Sequence, residues 1–172
     1  MLRGAGIVAL IVLLLACGQS NGAGPKASPS APAVRASWSQ DLTFAGDVSG
    51  HMAGIVADVG DQTSACTGLK PRPGQTWSDK FFGTLDSTGA VWGLDFVIQN
   101  YGGPGTYDSA AIAVQLHSTD NQQVWQNTSG SDKVVFVLDR TGQSGTIDAQ
   151  LTNAASGKSG AEHVTGAWHC KA

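Results

Sequence analysis

Charge is scarce in this chain: Asp, Glu, Lys and Arg make up 13% of its 172 residues, about half the usual ~25%. Ten Lys and Arg stand against thirteen Asp and Glu, with no run of either sign. The basic patch that nucleic-acid binding requires is therefore missing. Cysteine is sparse too, at three residues, and no C-x-x-C spacing exists, which argues against a catalytic dithiol. There is no H-E-x-x-H, no G-x-S-x-G and no Asp-rich loop with calcium-ligand spacing. After the first twenty residues no window carries a helical apolar repeat, and strands do not alternate with long helices, which excludes a parallel α/β architecture.

The remaining chemistry-bearing residues form near misses. Gly157-Lys158-Ser159 ends like a phosphate-binding loop, but the place of that motif's first glycine is held by Thr152, and Lys158 reads as a loop lysine. Of His51, His117, His163 and His169, His163 and His169 share one face of an expected strand. Six residues at ~3.3 Å each hold them roughly 20 Å apart, too far to chelate one ion. Asp58 and Asp61 flank Val59-Gly60 and read as a polar turn in preference to an exposed cation site. No cofactor and no metal are expected. A small envelope hydrolase would need Asp58, Asp61, His51 or His163 to converge in one cleft.

What is present begins at the N-terminus, MLRGAGIVALIVLLLACGQS. Arg3 supplies a positive n-region, Ile7 to Ala16 an apolar stretch, and Ala16 a small residue before a cut. Ten apolar residues give roughly 15 Å of helix, half of a hydrocarbon core, so the segment suits export better than a retained span. Leu14-Leu15-Ala16-Cys17 resembles the bacterial lipobox. That resemblance implies cleavage after Ala16, a diacylglycerol thioether on Cys17 and acylation of the new amino group. The alternative is an ordinary cleaved signal. Each acyl methylene contributes about 0.8 kcal/mol and one chain binds only marginally, so two or three chains would anchor durably.

With Cys17 lipidated, Cys66 and Cys170 remain. In an exported protein such a pair most simply forms a disulfide, here closing a ~100-residue loop worth about 2–4 kcal/mol. Two free structural thiols are the alternative.

Residues 1–16 thus read as a cleaved signal and 17–37 as the lipidated cysteine with a Gly/Ala/Ser/Pro tether that cannot bury enough apolar surface to order. Residues 38–172 read as one domain. There the chain alternates with period two: Trp92, Leu94, Phe96 and Ile98 share a face, as do Leu42, Phe44, Gly46 and Val48. The same holds for Ile112, Val114 and Leu116; Val134, Phe136 and Leu138; Ile147, Ala149 and Leu151; and Val164, Gly166, Trp168 and Cys170. Turn-forming clusters separate these runs, predicting hairpins at Phe81–Asn100 and Val134–Thr152. The expected fold is all-β, a single antiparallel β-sandwich or barrel of about eight strands.

Trp92 and Trp168 read as core. Trp38, Trp77 and Trp125 stand beside Gln40, Asp79, Gln123 and Gln126, which suits either a carbohydrate-stacking platform or plugs for the ends of the fold. Tyr101 and Tyr107 bracket Gly102-Gly103-Pro104-Gly105, read as a crossover between strands. Asn127-Thr128-Ser129 matches a glycosylation sequon, taken as coincidental beside a bacterial lipobox.

In layout, with lipobox, tether, β-domain and a cysteine near the end within Gly166-Ala167-Trp168-His169-Cys170, the chain resembles the small lipoprotein antigens of mycobacterial and other actinobacterial envelopes. Only the lipobox carries that resemblance residue by residue. The expectation is a non-catalytic extracytoplasmic lipoprotein. Cys17 would hold it to the outer face of the cell membrane, or to the outer membrane of a diderm, and its unidentified ligand would be an envelope protein, a glycan or a small apolar molecule. A carrier with an apolar barrel cavity is the alternative reading.

Overall fold

The period-two alternation folds as strands throughout the computed structural model, which describes residues 37–57, 71–128, 132–155 and 158–171. Ten strands follow in order: β1 Ser37–Gly46, β2 Gly50–Ala57, β3 Trp77–Thr84, β4 Val91–Ile98 and β5 Gly105–Asp108. Then come β6 Ala113–Ser118, β7 Val124–Gln126, β8 Val134–Leu138, β9 Ser144–Asn153 and β10 Ala161–Lys171. No helix occurs among the described residues.

All pairings are antiparallel, and eight strands in the order β2-β1-β10-β9-β7-β6-β4-β3 form a nearly closed barrel-like sheet. Both expected hairpins are present, as β3–β4 and β8–β9. β9 forks the wall: its first half pairs with β8, which carries β5, and its last two residues pair with β7. Closure between β2 and β3 is made at the corner, where Asp86 N–H donates to His51 O at 3.0 Å and His51 N–H to Asp86 Oδ1 at 2.7 Å. Ser87 Oγ also donates to Ser49 O. Gln40 Nε2 donates across the same seam to Phe82 O at 2.8 Å, so side chains take over where the ladder stops.

Inward residues fill the barrel. Trp38, Trp77, Phe81, Phe96, Phe136 and Trp168 form one connected aromatic cluster with centroids 5.0–6.4 Å apart. Trp92 and Trp125 pair separately at 5.8 Å. Tilted and edge contacts at these distances are the favourable geometry for rings. Backbones approach closely where β10 crosses β1: Gly166, with φ of 149°, sits against Asp41 O, where any Cβ would collide.

Candidate functional site

Trp38, Trp77 and Trp125 are 0%, 1% and 3% exposed. They plug the fold, and the stacking-platform reading is corrected: no indole face is open to a sugar. Trp92 and Trp168 are core, as expected. Tyr101 and Tyr107 stack at 6.3 Å across the glycine-rich turn, Gly102 N–H donating to the Tyr107 hydroxyl, which in turn donates to Gly103 O. Burial first, and then Tyr107, push the Tyr101 phenol above its ordinary range. Gly105, expected within the crossover, opens β5.

The histidines do not converge. On the outer face of β2-β1-β10-β9 the register aligns His51, Thr43, Thr165 and Asp148 in one row, and Ala45, His163 and Gln150 in the next. His51 Nε2 lies 2.6 Å from Asp41 Oδ1 and His163 Nε2 lies 2.8 Å from Asp148 Oδ1. His169 Nδ1 meets Ser39 Oγ at 2.7 Å. Each histidine has its own partner, so these are separate surface pairs, and His163 and His169 do share a face. His117 differs: it is buried, with Nδ1 3.0 Å from Ser118 O and Nε2 3.6 Å from Asp95 Oδ1, while Lys80 Nζ stands 3.6 Å from Asp95 Oδ2. Among the described residues no three His, Cys, Asp or Glu gather as metal ligands. Asp58, Asp61 and Cys66 lie outside the described residues. Lys158 belongs to the β9–β10 connection, and the element that follows it is strand β10, where a phosphate-binding loop would lead into a helix. Cys170 packs against the core from β10.

A preformed concavity lies beside the fork. A groove of about 600 Å3 is lined by Val97 of β4 with Gln99 and Asn100 just after it, by Ser109–Ile112 between β5 and β6, and by Ala113 and Asn127. Its shape is fixed by Asn127, whose Oδ1 accepts Val114 N–H at 2.7 Å while Nδ2 donates to Ile112 O at 2.9 Å and Ser109 O at 3.3 Å. Asp108 braces the same loop, accepting Ala110 N–H on Oδ1 and Ala111 and Ile112 N–H on its carbonyl. The sequon asparagine is thus a loop clamp with both ends of its amide in use. Among the described residues none that lines it is ionisable; the wall offers amides, a hydroxyl, main chain and small apolar side chains.

A second, smaller concavity of about 220 Å3 lies at one end of the barrel, lined by Asp47, Gln122, Gln123, Trp125, Asn153 and Lys158. Asp47 Oδ2 accepts the Trp125 indole N–H at 3.0 Å. Close by, Glu162 is 1% exposed and its Oε2 accepts Val48 N–H at 2.8 Å, while its Oε1 is buried with no hydrogen-bond partner. Burial, and to a lesser degree Asp47, push the Glu162 carboxyl up to about 7 against the pull of main-chain hydrogen bonds. Sequence reasoning missed this group, although Glu162 is in phase with the core positions Val164 and Trp168.

Comparison with known protein families, curated proteins and solved structures finds no match for this chain.

Proposed function

We propose that this chain is an exported lipoprotein, anchored through lipid on Cys17, whose barrel binds a neutral, hydrogen-bonding envelope ligand, a glycan, on its outside. The carrying observation is the groove beside the β9 fork: its volume lies within the 300–1,000 Å3 of typical ligand sites. Its described lining carries no formal charge, and Asn127 and Asp108 brace it. Amide and hydroxyl groups match a polyol better than an ion, and a braced loop loses little entropy on binding. The aromatic packing inside the barrel supports an external ligand over an interior one. Export and anchoring rest on Arg3, the apolar stretch and Leu14-Leu15-Ala16-Cys17. A Cys66–Cys170 disulfide is part of the same reading, supported by the place of Cys170 against the core.

Two experiments test the two halves. Mass spectrometry of the mature N-terminus should give acylated Cys17, and Cys17→Ser should leave the protein unacylated and released from membranes; a mature chain starting elsewhere removes the anchor. A defined envelope-glycan array, read with the native barrel and with Ala111→Arg, should show binding that the arginine abolishes. Binding unaffected by Ala111→Arg, or no glycan bound at all, overturns the groove assignment.

A further inference from the structure

We propose that Glu162 and Asp47 form a pH-set latch at one end of the barrel, fastening Trp125 of β7 to the β1–β2 corner when Glu162 is protonated and loosening it when Glu162 ionises. The geometry supplies both halves. Glu162 points inward from β10, in phase with Val164 and Trp168, and is 1% exposed. One carboxyl oxygen holds the β1–β2 corner through Val48 N–H at 2.8 Å. The other is buried with no hydrogen-bond partner, so a negative charge on this carboxylate is cut off from water and hydrogen-bonded by main-chain N–H groups alone.

Asp47 belongs to that same corner. Its N–H donates to Ala161 O at 3.2 Å, and its Oδ2 accepts Trp125 Nε1–H at 3.0 Å. One corner therefore carries the contacts to both β10 and β7.

The charged groups around Glu162 leave one direction for relief. From the β1–β2 corner Asp47 opposes its ionisation; on its own strand His163, on the outer face and bonded to Asp148, favours it, but less strongly than Asp47 opposes it. β9 presents Leu151 opposite Glu162, and β7 presents Trp125 toward Asp47. From the β9–β10 connection, Lys158 lines the concavity that Asp47 also lines. Once Glu162 is ionised, repulsion drives Asp47 outward toward Lys158 and water, and the indole N–H of Trp125 loses its acceptor. The elevated proton affinity of Glu162, to about 7, sets this exchange near neutrality.

The test is an NMR titration of the tryptophan indole N–H signals on the full chain between pH 5 and 8. The Trp125 signal should shift with a midpoint near 7 and its hydrogen exchange should quicken at least several-fold above it, while Trp38, Trp77 and Trp168 stay put. Glu162→Gln should hold Trp125 in its low-pH position throughout, and Asp47→Asn, which keeps an acceptor for the indole, should move the midpoint down. A Trp125 signal that does not titrate, or one that titrates identically in Glu162→Gln, overturns the latch. Should Glu162→Gln fail to fold, the carboxyl carbon of Glu162 in the native protein decides: a midpoint in the ordinary glutamate range also overturns it.

Discussion

The imidazole of His117 occupies the space a side chain at position 93 would take: a Cβ built on Gly93 falls 2.5 Å from His117 Nε2 and 3.0 Å from Phe82 Cε1. The three residues are direct cross-strand neighbours on the outer face, Phe82–Gly93–His117, and the phenyl and imidazole rings meet edge to face at 6.2 Å. Gly93→Ala should therefore destabilise the barrel by about 1–3 kcal/mol, the range of overpacking. In a double-mutant cycle His117→Ala should recover much of that loss, and additive effects in urea unfolding would show the two sites to be independent.

Stability should pass through a maximum in mildly acid solution. Partial burial raises the Asp139 carboxyl, but hydrogen bonds from Ser144, Thr141 and the Gln143 and Ser144 main chain outweigh it and hold it at about 2. Below its ordinary 3.8 the unfolded chain takes up a proton that the folded one refuses, so this contribution fades as pH falls from 3.8 toward 2. Glu162 acts in the opposite sense: between its ordinary 4.5 and about 7 the unfolded chain sheds a proton that the folded one keeps. Stability is lost as pH rises through that window, by up to about 3 kcal/mol. Thermal melts from pH 2 to 8 should show both limbs, and Glu162→Gln should flatten only the upper one.

Removing the Asn127 amide should loosen the groove before it unfolds the barrel. Asn127→Ala strips a partner from Val114 N–H, Ser109 O and Ile112 O, at roughly 1–3 kcal/mol for each group left buried and unpaired and less where water enters. Hydrogen exchange should rise at Val114 and across the 109–113 loop, with β1 and β10 unchanged. Uniform exchange would show that Asn127 does not organise this loop.

Thiol labelling without reductant tests the cysteine pairing. The folded, exported protein should leave both Cys66 and Cys170 unlabelled even after denaturation, and labelling of either in the denatured, unreduced protein counts against the bridge. With the bridge in place, reduction should lower stability by about 2–4 kcal/mol.

The sequence made the wall of the barrel legible through alternation. Runs such as Trp92–Ile98 and Val134–Leu138 carry large apolar residues at every second place, and they became β4 and β8. Elements with little to bury left no such trace. β7 is three residues long and β5 four, while β2 carries two glycines and, among its described side chains, Met52 alone is fully buried. The tryptophans misled for a related reason: polar neighbours at Gln40 and Asp79 looked like a wet surface, yet each is in phase with Trp38 or Trp77 and buried beside it. The groove was illegible because it depends on a clamp between Asn127 and a loop fifteen or more residues earlier. Such tertiary relationships have no period.

The pairing of the first strand with the last has a mechanical side. β1 lies between β2 and β10, bonded along its length to both, with Ser37 opposite Lys171 and Ala57. For a domain held by the chain leading into Ser37, a tug on that leash is carried along the strand axis. It must shear two ladders together, and it cannot unzip one bond at a time as it would from a strand at a free edge. For load applied there β1 is thereby well placed, because both of its ladders must yield at once.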